Sequence, residues 1–123
     1  MEKIRIIIAD DHQLFRNGLK LLLNSFPGFE VTGEASNGNE FLEVIKNTDA
    51  DIALMDINMP EMDGIEATRK GLRIKPALSI IALSMYGEEE YYYKMVDAGA
   101  KGFLLKDSDI SEVKEAILTV VRG

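Results

Sequence analysis

The sequence predicts an open α/β fold, in which one parallel β-sheet is covered by helices on both faces. Strand-like and helix-like segments alternate five times along the chain, which is typical of parallel strands joined by helical crossovers. The first and third strand-like segments are nearly unbroken apolar runs, as expected for central strands buried on both faces. The length of 123 residues corresponds to one domain with a single core.

The five predicted strands are short apolar segments separated by turn signals. Pro27-Gly28 precedes the second strand and Pro76 precedes the fourth, and residues of both types end helices and form turns. A helix-like stretch follows each strand, as parallel pairing requires. The strands are expected at about residues 4–9, Glu30–Ala35, Asp51–Met55, Ser79–Leu83 and Lys101–Leu105.

The first two predicted helices have apolar residues at helical spacing. The second begins after the turn Asn37-Gly38 and directs Phe41 and Ile45 inward. In the first helix, five apolar residues are spaced for one face and are expected to lie on the sheet: Leu14, Phe15, Leu19, Leu22 and Leu23.

The last three predicted helices are delimited by glycine and acidic residues. Gly64 opens the third helix, and the fourth is expected over Glu88–Ala98 with Gly99 ending it. Asp109, with Glu112 three residues later, resembles a capping box at the start of the fifth helix.

Polar side chains follow the predicted strands at the points where the strands end. Asp10 and Asp11 follow the first strand, Asp56 the third, Ser84 the fourth and Lys106 the fifth. In an open α/β sheet, sites are built at the carboxyl ends of the strands, near the point where strand order reverses. We therefore expect one pocket with three carboxylates, a hydroxyl and an ammonium, which suits a divalent cation together with a phosphoryl group.

The acidic pair has two interpretations. A single Asp before a helix is commonly an N-cap that accepts backbone N–H bonds. Two adjacent carboxylates repel each other, however, and a hard cation bound through oxygen would relieve that repulsion. We therefore interpret Asp10 and Asp11 as Mg²⁺ ligands, on condition that Asp56 joins them. His12 comes next and is interpreted only as a residue of the helix start.

Asp56 is either a turn-forming residue or a nucleophile. Asp is common in turns, but a carboxylate can also attack a phosphoryl group and form an aspartyl phosphate. Mg²⁺ and Lys106 would offset the repulsion between the two anions, and the backbone carbonyl of Asn58 would complete the metal shell. Taken singly, Ser84 is a turn residue and Lys106 a solvated lysine, so their proposed roles depend on their positions.

Composition argues against several classes of function. The net charge of −7 argues against non-specific nucleic-acid binding, which needs clustered Lys and Arg. The absence of cysteine excludes a disulfide framework, thiol catalysis and Cys-based metal sites. No apolar run approaches the ~20 residues of a transmembrane helix, and the amino terminus lacks a signal-peptide pattern. We therefore expect a cytoplasmic protein with no membrane partner.

The ordered set of motifs resembles the receiver domains of two-component response regulators over essentially the whole chain. The resemblance rests on Asp10-Asp11, Met55–Gly64, Leu83-Ser84 and Gly102–Lys106. It implies a doubly wound, flavodoxin-like fold with five helices and five parallel strands in the order 2-1-3-4-5. It also implies that a sensor histidine kinase transfers a phosphoryl group to Asp56.

The same resemblance implies a role for each site residue. Ser84 and Lys106 would hold phosphoryl oxygens, and Phe103 would occupy the aromatic switch position. Asp11 would bind Mg²⁺ directly and Asp10 through water. The full set of implied metal ligands is Asp10, Asp11, Asp56 and, through its backbone carbonyl, Asn58.

Two segments narrow the resemblance to the NarL/FixJ subfamily, whose members regulate transcription through a LuxR-type helix-turn-helix output domain. These segments are Leu104–Asp107 and Val120–Gly123. Residues 1–123 are expected to be a receiver domain, excised or stand-alone, that reaches DNA only through an output domain outside this chain. A homodimer is expected through the face of the fourth helix, fifth strand and fifth helix. Many receivers have Pro where Asp107 stands, often after a cis bond; we expect a trans bond here, because a cis bond would cost about 2.5–4 kcal/mol.

Three other classes share parts of this pattern. A haloacid-dehalogenase-like phosphatase also uses a strand-end Asp with Mg²⁺, but its two Asp residues are separated by one residue on the first strand. A flavodoxin-like FMN binder needs a hydroxyl-rich phosphate loop, whereas Asp10–Gln13 would repel phosphate. A phosphorylation-independent interaction module is the third class. We favour a phosphoacceptor that assists its own phosphorylation and dephosphorylation, rather than an enzyme that turns over an external substrate.

Overall fold

The computed structural model describes residues 2–85 and 89–123. Within these residues, five parallel strands form one sheet in the order β2-β1-β3-β4-β5, which confirms the predicted doubly wound topology. The strands are β1 (Ile4–Ala9), β2 (Phe29–Ala35), β3 (Ile52–Asp56), β4 (Ser79–Ser84) and β5 (Gly102–Leu105). The helices are α1 (Gln13–Asn24), α2 (Gly38–Asn47), α3 (Gly64–Ile74), α4 (Glu89–Ala98) and α5 (Ile110–Arg122).

The strand boundaries differ from the predicted ones by one residue at several ends. Asp56 and Ser84 are the last residues of β3 and β4, rather than the first residues after them. The predicted first residue of the fourth helix, Glu88, lies outside the described residues. Differences of this size are expected, because a strand or helix end is set by single hydrogen bonds.

The two faces of the sheet carry separate apolar cores, because successive strand residues point to opposite faces. Ile7 and Ile80 belong to the core beneath α2, α3 and α4. Ile6 and Ile81, their neighbours in sequence, belong to the core beneath α1 and α5. Every residue of β3 is buried, which confirms that its apolar run marks a central strand.

The predicted apolar face of α1 is partly wrong. Leu19 and Leu23 are buried against the sheet and Phe15 is half-buried, whereas Leu14 is 88% exposed and Leu22 is 48% exposed. The three inward residues follow one another at intervals of four. Leu14 and Leu22 each precede an inward residue by one position, which turns them about 100° away from the sheet.

Side-chain capping begins α2 and α3 but not α5. The Asn37 side chain accepts a hydrogen bond from the Glu40 N–H, and the Asp63 side chain accepts one from the Glu66 N–H, both at 2.9 Å. The predicted capping box at Asp109 is wrong, because its carboxylate makes no such bond and instead accepts one from the Ser111 hydroxyl. The carboxylate is thus directed to a side chain and not to the free backbone N–H groups.

At its carboxyl end α4 finishes at Ala98 and Gly99 follows it, as predicted. Gly99 has φ +113°, a conformation that glycine adopts without the penalty of a Cβ. Among residues 2–85 and 89–123, every helix is too short or too polar to cross a lipid bilayer.

Candidate functional site

The sheet brings the predicted polar residues to one edge. Parallel pairing sets Ala9 beside Met55, and Asp56 beside Leu83. Ser84 pairs with Leu105, and its carbonyl accepts the Lys106 N–H at 2.8 Å. Because all strands point the same way, their carboxyl ends and the residues just after them meet at this edge, as expected for the fold.

A single ammonium group lies between two buried carboxylates. The Lys106 Nζ is 2.8 Å from Asp10 Oδ2 and 3.2 Å from Asp56 Oδ2. The exposed fractions of these side chains are 5% for Lys106, 0% for Asp10 and 4% for Asp56. The structure therefore joins three residues that lie far apart in the sequence, and Lys106 is not the solvated lysine that it would be in isolation.

The buried carboxylates outnumber the buried cation. Burial raises the pKa of Asp56, and the neighbouring charge of Asp10 raises it further, while Lys106 offsets only part of the effect; the resulting pKa is about 7. A carboxyl group with this pKa lies in a site that disfavours more negative charge. The pocket therefore needs an additional cation when all its carboxylates are ionised.

Four side chains form a cluster of donor atoms suited to such a cation. One donor atom from each of Asp10, Asp11, His12 and Asp56 lies within 4.8 Å of the others. Carboxylate oxygens suit Mg²⁺, a hard cation that binds one or two of them directly and reaches further groups through the several waters it keeps. The pocket therefore fits the predicted magnesium ion by the chemistry of its donors.

The loop after β3 holds Asn58 close to the acidic pocket. The Asn58 N–H points to Asp56 Oδ1 at 3.4 Å. The Gly64 N–H donates to the Ile57 carbonyl at 2.8 Å, which fixes the start of α3 against the end of β3. A Cβ at Gly64 would collide with the Asp56 carbonyl oxygen, so this approach requires glycine. The metal-binding role of the Asn58 carbonyl stays a prediction.

The two predicted switch residues lie on neighbouring strands. Ser84 is 2% exposed at the end of β4. Phe103 on β5 is half-buried and meets the Tyr92 ring of α4 edge to face, with centroids 5.6 Å apart. The Lys106–Asp107 peptide bond is trans, as predicted. A movement of Phe103 would therefore change its contact with α4, and a movement of Ser84 would change its pairing with Leu105 of β5.

Two residues at the site were not identified from the sequence as functional. His12 places its Nδ1 3.1 Å from Lys106 Nζ, and its backbone N–H donates to Asp10 Oδ1 at 2.8 Å. Arg16 donates to the Asp10 carbonyl and forms an ion pair with Glu34 at 3.1 Å. Position directly after the acidic pair was the only available signal for His12. Arg16 of α1 had none, because its partner Glu34 lies on β2, 18 residues away in the sequence.

The fold and this pocket define a signalling receiver. The profile of the response regulator receiver domain family matches residues 6–118, so the chain belongs to that family. It is the receiver domain of a two-component response regulator of the NarL/LuxR type. Membership favours this class over the phosphatase and flavin-binding alternatives considered from the sequence.

The individual relatives support the same subfamily. The chain is 40% identical to the transcriptional regulatory protein DegU of Brevibacillus brevis over 121 residues, which are 98% of this chain and 51% of the relative. It is 38% identical to the transcriptional regulatory protein LiaR of Bacillus subtilis over 120 residues, which are 98% of this chain and 57% of the relative. The chain thus spans about half the length of these curated relatives.

Solved structures agree in fold over the whole chain. The receiver domain of the response regulator NarL from Mycobacterium tuberculosis superposes with a TM-score of 0.91 at 36% identity, covering 100% of this chain and 99% of that one. A LuxR-family two-component response regulator from Aurantimonas sp. SI85-9A1 gives a TM-score of 0.93 at 34% identity, covering 99% and 87%.

Proposed function

We propose that this receiver domain accepts a phosphoryl group on Asp56 from a sensor histidine kinase, with Mg²⁺ held by Asp10, Asp11, Asp56 and the Asn58 carbonyl. The observation that carries the proposal is the placement of the Lys106 ammonium against both Asp10 and Asp56, at 2.8 and 3.2 Å. A pocket with one cation and several carboxylates attracts a metal ion, and the two cations together attract a phosphoryl group.

The transfer is a displacement at phosphorus. An Asp56 carboxylate oxygen attacks the phosphohistidine of the kinase, the O–P bond forms as the N–P bond breaks, and the imidazole leaves with the electron pair. Bound Mg²⁺ would neutralise charge on the transferring oxygens. Lys106 contacts Asp56 in the described structure and needs little movement to bind a phosphoryl oxygen. Because the acceptor is a residue of the chain itself, the protein is a phosphoacceptor and not a turnover enzyme.

Phosphorylation would act on α4 and β5 through Ser84 and Phe103. A phosphoryl group adds about −1.5 to −2 charge and three acceptor oxygens, which the Ser84 hydroxyl and Lys106 would bind. Phe103 would then leave Tyr92 and turn inward. A shift from 1:99 to 99:1 requires about 5.5 kcal/mol, and two or three charge-assisted hydrogen bonds at about 1.5–3 kcal/mol each supply it.

The whole regulator would carry this signal to DNA. The relatives of this chain are named transcriptional regulators and are about twice its length, so an output domain beyond residues 1–123 is the proposed DNA-binding part. Homodimerisation through α4, β5 and α5 would follow phosphorylation. Cytoplasmic location belongs to the same proposal, since the transcriptional output acts there.

Intact mass measurement tests the phosphoacceptor directly. The wild type, Asp56→Asn and Asp107→Asn would be incubated with Mg²⁺ and acetyl phosphate, and the wild type also with EDTA. We expect a gain of one phosphoryl group in the wild type and in Asp107→Asn, whose carboxylate is exposed, and no gain in Asp56→Asn or with EDTA. No gain in wild type, either with acetyl phosphate or with a panel of phosphorylated histidine kinases, would instead support the interaction module.

The switch proposal has its own test by NMR. In Phe103→Ala the pocket is intact, so phosphorylation should proceed while the backbone shift changes along α4 and β5 are lost. Val121→Ala is the matched control, because Val121 is an exposed residue of α5. Wild-type shift changes in Phe103→Ala would refute the switch role and leave the phosphoacceptor role intact.

A further inference from the structure

The backbone of Asp10 leaves the sheet inside the protein. Its N–H donates to the Ala35 carbonyl at 2.9 Å, which extends the pairing of β1 with β2 by one residue beyond Ala9. Asp10 is fully buried, and a buried backbone carbonyl needs a hydrogen-bond donor because water cannot reach it. The donor is the guanidinium of Arg16, a residue of α1. The carbonyl of Asp10 therefore depends on a side chain six residues later in the chain.

Glu34 on β2 anchors the guanidinium of Arg16. The Arg16 Nε donates to Glu34 Oε1 at 3.1 Å, and the Lys20 Nζ donates to Glu34 Oε2 at 2.9 Å. Hydrogen bonds from Lys20 and Arg16 lower the pKa of Glu34, so the anchor is ionised at neutral pH. The Arg16 side chain is 13% exposed, whereas that of Lys20 is 43% exposed. Of the two cations that share Glu34, Arg16 is thus the one that lies inside the fold and reaches Asp10.

The start of α1 holds Asp10 at two points. The His12 N–H donates to Asp10 Oδ1 at 2.8 Å, and the Arg16 N–H donates to the His12 carbonyl at 2.9 Å. The Arg16 side chain then returns to the Asp10 carbonyl. The carboxylate and the carbonyl of Asp10 are therefore both tied to one turn of α1, which restricts rotation of its side chain and of its backbone.

The position of Asp10 determines where the Lys106 ammonium lies. The Lys106 Nζ is 2.8 Å from Asp10 Oδ2 and 3.2 Å from Asp56 Oδ2. If Asp10 moved, the ammonium would either follow it away from Asp56 or lose one of its two carboxylates. Phosphoryl transfer depends on such geometry, since a misplacement of about 1 Å can slow an enzymatic reaction by about 100-fold.

We propose that Arg16 is a positioning residue for phosphoryl transfer. Anchored by Glu34, it holds the Asp10 backbone, and the Asp10 carboxylate in turn keeps the Lys106 ammonium beside Asp56. The inference rests on the proposed function, because it concerns the geometry of the same transfer. Arginine suits this role, since its rigid guanidinium presents N–H groups in fixed directions, whereas lysine presents one compact ammonium on a flexible stem.

Phosphorylation rates of matched variants test the role of Arg16. Each protein would be incubated with acetyl phosphate at saturating MgCl₂, and the gain of a phosphoryl group would be followed by intact mass. Arg16→Gln should lower the rate by about 10- to 100-fold. Lys20→Gln is the control, because it removes the other cation of Glu34; it should change the rate by less than about twofold, since an exposed ion pair contributes little. A wild-type rate in Arg16→Gln would overturn the proposal.

Arg16→Lys separates positioning from charge and from folding. It keeps a cation beside Glu34, so its urea unfolding curve should stay close to that of the wild type, whereas its phosphorylation rate should remain low because the fixed N–H directions are lost. This variant also decides the question if Arg16→Gln does not fold. A rate in Arg16→Lys equal to that of the wild type would show that positive charge alone is sufficient, and would refute the positioning role.

NMR of the Lys106 ammonium tests the same geometry without phosphorylation. In ¹⁵N-labelled protein free of phosphoryl donor, the Nζ resonance should shift in both Arg16 variants and stay unchanged in Lys20→Gln. If the wild type gains no phosphoryl group, the proposed function fails, and the Nζ resonance still decides whether Arg16 controls the position of Lys106. If the wild type is phosphorylated and the Nζ resonance is the same in all variants, only the inference about Arg16 fails.

Discussion

Asp51 and Asp56 stand at the two ends of β3 in opposite electrostatic states. Asp51 just precedes the strand, and its carboxylate accepts from the Arg5 N–H at 2.8 Å and from the Arg5 guanidinium at 3.1 and 3.3 Å. These bonds lower its pKa. Asp56 ends the strand, shares one ammonium with Asp10, and has its pKa raised to about 7. The two ends of β3 therefore hold two carboxylates five residues apart. The charge of Asp51 is fully paired by Arg5, whereas Asp56 shares its one cation with Asp10.

The difference distinguishes a structural charge from a functional one. At the amino end of β3 the charges are paired in the folded chain, so folding favours the ionised Asp51. At the carboxyl end the folded chain disfavours the ionised Asp56 until another cation arrives. The ionised Asp56 therefore lowers the stability of the folded chain at the end of β3 where phosphorylation is proposed. Perturbed pKa values commonly cluster at functional sites in this way. Substitutions at the two ends should change stability with opposite signs.

The largest effect is expected from Asp56→Asn in the absence of Mg²⁺. The pKa of Asp56 rises from an ordinary 3.8 to about 7 on folding, so the folded state binds more protons between these values. Its contribution to stability is present below pH 3.8 and is lost as the pH rises through 7. Neutralising the side chain should therefore stabilise the protein by up to about 4 kcal/mol at pH 8, and hardly at all near pH 4.

Urea unfolding of both proteins at several pH values measures this prediction. The free energy of unfolding of Asp56→Asn should exceed that of the wild type increasingly from pH 5 to pH 8. A variant that is less stable than the wild type at pH 8 would show that the contact with Lys106 outweighs the burial of the carboxylate. The proposed contrast between Asp51 and Asp56 would then be wrong for Asp56.

Magnesium should produce the next largest effect. A ligand that binds only the folded state at 100 times its Kd stabilises by about 2.7 kcal/mol. We expect the Tm of the wild type to rise with MgCl₂ and to respond much less to an equal ionic strength of NaCl. In Asp56→Asn the rise should shrink, because one carboxylate ligand and one source of repulsion are both removed. Equal responses to MgCl₂ in the two proteins would exclude Asp56 from the metal site.

The sequence was sufficient to predict those site residues whose positions are set by the ends of the strands. Asp10, Asp56 and Lys106 were each predicted to follow a strand directly, and parallel strands must bring such residues to one edge. The direction of the Asp56 pKa could not be predicted, because it depends on how many of the neighbouring charges are buried with it. His12 and Arg16 were missed for the same reason, since their contacts are made across the fold and leave no spacing pattern.

The fold was predicted more completely than its surfaces. Alternating strands and helices and the apolar runs in β1 and β3 led to the correct fold class, because burial on both faces leaves a strong signal. The outward Leu14 and Leu22 of α1 were assigned to the core, because five apolar residues within ten positions cover more than one helical face. Sequence spacing alone could not decide which part of that broad face meets the sheet.

A smaller effect of opposite sign is expected from Asp51→Asn. Its pKa is lowered in the folded state, so its contribution is present above about pH 4 and is lost as the pH falls through the lowered pKa. The side chain is 36% exposed, and solvent screening limits the expected loss at pH 7 to about 1 kcal/mol. Asp49→Asn is the control, because Asp49 is 82% exposed and reaches Arg5 only in a longer ion pair of 3.7 Å. Equal stabilities of the two variants would show that the Arg5 contacts contribute nothing beyond a surface charge.

The smallest effect is expected from Glu61→Gly. This substitution tests whether the loop after the carboxyl end of β3 contains backbone strain. Glu61 has φ +68°, and the Met62 N–H donates to the Pro60 carbonyl at 2.8 Å, closing a three-residue turn. A side chain in this conformation costs about 1–3 kcal/mol, and glycine avoids the cost but loses more entropy on folding. Glu61→Gly should therefore stabilise by about 0.5–1 kcal/mol, whereas Glu61→Ala, which keeps the Cβ, should not. Urea unfolding at pH 7 with and without MgCl₂ measures the stability of both variants. If Glu61→Ala gains as much stability as Glu61→Gly, the gain comes from the lost charge, and backbone strain at Glu61 does not contribute to it.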